Sequence, residues 1–124
     1  MTNKERAQDI HDLMLQGKLL DAFDKYYHED VELSEPRGSW TGKAACREHE
    51  VEFLNYVKEF HGLEVRNIAS NEETGVVFIE TMMDVTFQDG NRVQMEQVSR
   101  QQWSDGQVTN ERFYYDNAPA SVEA

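Results

Sequence analysis

Two residues of this 124-residue chain have the type and setting for proton chemistry. Glu35 stands before Pro36 at the end of "DVELSE", and alternation puts it on the side of Val31 and Leu33, the side that faces a core. A carboxylate there is costly to ionise. Desolvation moves its pKa toward the range of a general base unless a cation compensates. In the alternative, Pro36 bends the chain and Glu35 reaches solvent or pairs with Arg37. His49 lies four residues after Ala45 and four before Phe53, which places it on their helical stripe. Imidazole titrates near neutrality and can hold, donate or accept a proton, but it can equally be a hydrogen-bonded core group. Glu50 sits at the edge of the stripe, suited to solvent or to the same pocket. "HEVEF" has Phe53 where a metalloprotease helix needs its second histidine, so neither a metal nor a cofactor is expected.

A second constellation lies in "RVQMEQVSRQQW". The side carrying Val93, Met95 and Trp103 also carries Gln97, Ser99 and Gln101. Polar groups in mid-sheet on an apolar face are expensive unless they meet partners, water or a ligand. Orienting a polar ligand is the preferred account, and an internal hydrogen-bond network is the other. Met83, Phe87, Met95 and Trp103 supply apolar walls for such a ligand. Trp40 and Tyr115 suit a core or a pocket wall.

These side chains need elements to place them. Ala7, Ile10 and Met14 mark a helix over 4–16 that Gly17 stops, and Leu19, Leu20, Phe23, Tyr26 and Tyr27 mark a second. "DVELSE" is a short strand ended by Pro36. From Thr41, a plausible N-cap, a long helix carries Ala45, His49, Phe53, Val57 and Phe60 on one face and ends at Gly62. Beyond it, "SNEETG", "QDGN" and "SDGQ" separate four β-rich runs at hairpin spacing. From Val76 to Phe87 the odd positions are apolar, and the even ones mix Val76, Phe78 and Met82 with charge. That second face is expected to be covered by a second copy of the chain.

The length fits one domain, 1–124, with a core over about 6–116 and a tail, "NAPASVEA", that is expected to fray. A formal charge of −12, from 24 acids against 12 bases, repels phosphate backbones and excludes nucleic acid as the main partner. The polar start and the absence of any run near the ~20 apolar residues of a bilayer span lead to an expectation of no membrane partner and a cytoplasmic location. With Cys46 as the single cysteine there is no internal disulfide, and Cys46 reads as a small buried side chain.

Helices followed by a meander describe an α+β fold with helices over one curved antiparallel sheet. With "DAFDKYYHEDVELSEP", "TGKAACREH" and "WSDGQVTNERFYYD", the chain resembles the SnoaL-like group of the nuclear transport factor 2-like, or ketosteroid isomerase-like, superfamily from about residue 6 to Asp116. The resemblance implies a cystatin-like cone with a pocket for a small hydrophobic organic ligand, and a homodimer through the sheet. The superfamily spans isomerases, cyclases, dehydratases and plain binding proteins. In the isomerases an acid before a proline shuttles the proton, a place that falls on Glu35. Their oxyanion-hole tyrosine falls on Ile10 or His11, and their protonated aspartate falls on Ser99. Pocket-lining helix positions fall on His49 and Glu50, and the inward positions of the last strands fall on Gln97, Gln101, Glu111 and Tyr115. The implied activity is cofactor-free proton transfer next to a carbonyl, with Glu35 as base and His49 as relay or acid. The alternative is a non-catalytic ligand-binding or dimerisation module.

Overall fold

The computed structural model describes residues 1–116, so the expected tail lies outside the described residues. Helix α1 (Asn3–Leu15) opens with a capping box: the Thr2 hydroxyl accepts from the Glu5 amide at 3.0 Å, and Glu5 Oε1 accepts from the Thr2 amide at 2.7 Å. Gly17, at φ 76°, lets the chain reverse into α2 (Leu19–Tyr26). The Tyr26 hydroxyl donates to Asp9 at 2.5 Å and Lys25 reaches the same oxygen at 3.2 Å, which ties α2 to α1.

Strand β1 (Tyr27–Glu35) follows α2 without a loop and is longer than the sequence pattern marks. It turns at Pro36 and Arg37 into β2 (Gly38–Thr41), a strand that the sequence pattern does not show. Its four residues are too few, and too poor in apolar side chains, to display alternation.

Helix α3 (Lys43–Tyr56) is capped by Gly42 at φ 92°, rather than by Thr41. It ends at Tyr56, well short of Gly62. Val57 and Phe60 are therefore strand residues, and Phe60 is exposed. Of the expected stripe of α3, His49 and Phe53 stay half-buried, but Ala45 is exposed and Cys46 is fully buried in its place, with Sγ 3.6 Å from the Val31 carbonyl. The reason for the misread helix end is the shape of β3 (Val57–Asn71). Its register against β4 (Val76–Phe87) shifts at Val57/Glu59, Phe60/Gly62 and Val65/Asn67, and such bulges erase the period of two.

Strands β5 (Arg92–Ser104) and β6 (Gln107–Tyr114) complete a six-stranded sheet in the order β2-β1-β6-β5-β4-β3. The β1–β6 pair is parallel and every other pair is antiparallel. The fold is α+β, with one inner sheet face against the helices. Val77, Ile79, Val85 and Phe87 of β4 point inward as alternation requires, and Phe78 points out at 44% exposure. The main core joins Val77 and Ile79 to Ala7, Ile10, Ala22, Phe23, Val31 and Leu33, and Val85 and Phe87 form a second cluster with Met83 and Val93.

Gly75 closes the β3–β4 turn at φ 76°, where an added Cβ would lie 2.4 Å from the Trp103 carbonyl oxygen. Gly17 has the same φ with nothing within 4 Å. Gly17→Ala should therefore cost only the left-handed backbone penalty, about 1–2 kcal/mol. Gly75→Ala should cost clearly more and lower the melting temperature further. Equal melting temperatures for the two variants would contradict this account of the turn.

Candidate functional site

A cavity of about 650 Å³ opens between the inner sheet face and the three helices. Met14, Phe53, Leu63, Met83, Phe87 and Met95 make its apolar wall. Polar groups enter at three places.

The deepest is a hydrogen-bonded chain across three strands. The Tyr27 hydroxyl on β1 donates to Glu111 Oε1 on β6, and Gln101 Nε2 on β5 donates to Glu111 Oε2 at 2.9 Å. Trp103 Nε1 in turn donates to Gln101 Oε1 at 2.9 Å, which fixes the orientation of that amide. Glu111 is 3% exposed, and burial raises its pKa even against these donors. Burial, reinforced by the adjacent Glu111, holds the Tyr27 phenol well above its ordinary value.

The second place is the end of β1. Glu35 points inward, with a side chain 16% exposed, and its Oε2 accepts from the Tyr115 hydroxyl at 3.0 Å. His49 Nε2 stands 3.9 Å from the same oxygen, in contact but beyond hydrogen-bond length. The ring of His49 lies on Trp40, with centroids 3.7 Å apart and an interplanar angle of 18°. Burial, and then the bond to Glu35, push the Tyr115 phenol up to about 12.

The third is Glu50, one residue past His49. It lines the cavity and has no hydrogen-bond partner among the described residues. Burial, with the Glu111 and Glu35 carboxyls adding to it, raises its pKa to about 8. At neutral pH Glu50 is a carboxylic acid that can donate.

The structure thus brings together Glu35, His49, Glu50, Phe53, Met83, Met95, Gln97, Ser99, Gln101, Glu111 and Tyr115, all of which line the cavity. Trp40 and Trp103 do not. Trp40 supports His49 from behind, and Trp103 is 3% exposed in the core, edge-on to Tyr26 at 5.7 Å. Of the β5 polar row, Gln101 and the buried Ser99 both reach Glu111 in the internal network, and Gln97 lines the cavity.

One more wall residue is His11, one of the two positions on which the resemblance puts the isomerases' oxyanion-hole tyrosine. His11 is 7% exposed on α1, with Nδ1 2.8 Å from the Ala7 carbonyl. Its spacing, four residues after Ala7 and three before Met14, is the signal that sequence offers. Among the described residues no cluster of three or more His, Cys, Asp or Glu side chains could hold a metal ion, and no helix is long and apolar enough to cross a membrane.

A family model for the SnoaL-like domain matches residues 1–115. The chain belongs to the SnoaL-like family. A SnoaL-like candidate polyketide cyclase from Mesorhizobium loti is 32% identical, with a TM-score of 0.77 over 93% of this chain and 100% of that one. TerC, crystallised with polyporic acid, has a TM-score of 0.81 at 17% identity, covering 98% of both chains. A nuclear transport factor 2-like protein from Burkholderia pseudomallei reaches 0.84 at 13% identity over 100% of both. The last two show the fold, which is the nuclear transport factor 2-like one. No curated protein matches this chain in sequence.

The Glu50 environment in this SnoaL-like protein has a measurable consequence. Between the ordinary value of 4.5 and about 8, the folded protein keeps a proton that the unfolded chain releases, so stability falls as pH rises through that window. Burial lowers the His11 pKa below 6.5 and works in the opposite direction, losing stability as pH falls below 6.5. The range from 6.5 to 8 therefore isolates Glu50 from His11. Glu50→Gln should be more stable than the parent by an increment that grows across that range and levels off above it, read by urea denaturation at successive pH values. An increment independent of pH would refute the assignment.

Proposed function

We propose that this SnoaL-like protein binds a small, largely apolar organic molecule in its cavity and moves a proton next to a carbonyl without a cofactor. The reading is carried by the convergence of Glu35 and Glu50 on one apolar-walled cavity in unlike environments: Glu35 held by a phenol donor, Glu50 without a partner and protonated at neutral pH. Glu35 Oε1 takes a proton from the carbon beside the carbonyl. The Glu50 O–H faces the carbonyl oxygen as it gains charge, the acid's part that sequence reasoning gives to His49. His49, steadied by Trp40, stands beside Glu35 as a relay. The enol that results either takes its proton back at another carbon, which is isomerisation, or attacks a second carbonyl, which is cyclisation. Gln97 and Ser99 guide polar groups of the ligand.

A binding module of the same fold is the second reading. It is favoured by the completeness of the deep network, since Tyr27, Gln101 and Trp103 satisfy one another and Glu111 without any ligand.

The reading includes a homodimer through the outer sheet face. Phe78 and Tyr114, each 44% exposed, stand there with Val76, Val98 and Met82 among Arg100, Arg112 and Glu80. Such a mixed patch can pair with its own copy about a two-fold axis. Sedimentation at micromolar concentration should give twice the 14.4 kDa chain mass, and a clean monomer would remove the dimer from the reading.

Ligands are sought first among hydroxylated aromatic and polyketide-like carbonyl compounds, polyporic acid included, with nucleotides expected to give no thermal stabilisation. On a turned-over compound, Glu35→Gln should leave binding intact and lower kcat by at least ~10²-fold. Unchanged kcat in that variant would shift the conclusion to the binding module.

A further inference from the structure

We infer that His11 determines ligand specificity, its Nε2 accepting a hydrogen bond from a hydroxyl group on the ligand, so that the cavity prefers phenols and enols to their ethers. This rests on the reading of the cavity as a ligand site and goes beyond it in naming which functional group is recognised, and by what.

The geometry leaves one tautomer. Nδ1 lies 2.8 Å from the Ala7 carbonyl oxygen, which can only accept, so Nδ1 carries the hydrogen. The ring is 7% exposed, and burial disfavours the second proton that would turn Nε2 into a donor. Nε2 therefore presents a lone pair.

That lone pair has no protein partner among the described residues, yet no buried side-chain nitrogen or oxygen there is left both enclosed and unsatisfied. Nε2 must then open onto free space, and the space His11 lines is the cavity. Ile10 and Met14 on the same helix and Phe23 on α2 line the cavity with it and have no hydrogen to offer.

A hydroxyl is the donor that suits this corner. It adds one hydrogen bond and little desolvation cost, whereas an ammonium group would lose much of its hydration in a cavity with so large an apolar wall. An ether of the same shape cannot donate and would leave Nε2 buried and unsatisfied, which costs about 1–3 kcal/mol. The complementary ligand is an apolar body with a carbonyl toward Glu50 and a hydroxyl toward His11.

The test compares 2-naphthol with 2-methoxynaphthalene by titration calorimetry. The parent protein should bind the naphthol roughly 10-fold more tightly, in line with one hydrogen bond plus the penalty for an unsatisfied acceptor. His11→Phe should bring the ratio near one without weakening the ether. His11→Gln covers the case in which the phenylalanine variant does not fold; its amide can also donate to the ether oxygen, so the ratio should fall there too. A parent that binds both compounds equally overturns the assignment of His11 alone. So does a preference that survives in every folded His11 variant, because such a preference is steric. Failure of both compounds to bind overturns this inference together with the cavity reading.

Discussion

The hydrogen bond between Tyr27 and Glu111 is the constraint on which the rest of the site depends. It spans the one parallel pairing in the sheet and is extended by Gln101 and Trp103 onto β5 and toward α2. A buried carboxyl with both oxygens engaged specifies a single register, because a slip by one residue would turn Glu111 outward and leave its donors unsatisfied. In that register Leu33 lies beside Glu111, and Glu35 comes to the end of β6 within reach of Tyr115. The position of the proposed base is thus set by a contact deeper in the molecule.

The carboxyls differ through their neighbours rather than their chemistry. Glu111 has donors on both oxygens and little contact with solvent. Glu35 has one phenol and a histidine at contact distance. Glu50 has neither, and burial, with the other two adding as like charges, raises its pKa. An apolar wall on the opposite side keeps this asymmetry from being averaged away by water.

Much of this was legible in the residues, and the limits have physical causes. Alternation located Glu35 and the inward face of β4 because β4 and the end of β1 from Glu32 onward are regular and bury one face. It failed on β3, where bulges break the period, and the apolar Val57 and Phe60 then extended the helix pattern and drew its phase toward Ala45. The same error left Glu50 at the margin, although it lies four residues after the buried Cys46. Trp103 shows a different limit. Phase tells which face of a sheet a residue occupies but not how far along the strand the cavity ends and the packed core begins, and Trp103 and Gln97 share a face on either side of that boundary. His11 fell on a readable stripe, yet no pattern reveals that one ring nitrogen is tied to the backbone and the other is bare.

The β1–β6 ladder also sets an order of events. It joins residues 84 positions apart in the chain, and β6 is synthesised after every strand between them. Until β6 exists, β1 has only β2 beside it, and α1 and α2 have half a sheet on which to lay their apolar faces. Closing so long a loop costs entropy before any contact returns it, and proteins dominated by such distant pairings fold slowly. The nascent chain therefore passes through a stage in which Phe23, Val31 and Leu33 are uncovered and the edge of β1 that pairs with β6 is open, so the interval before β6 pairs is when the chain is most exposed to aggregation.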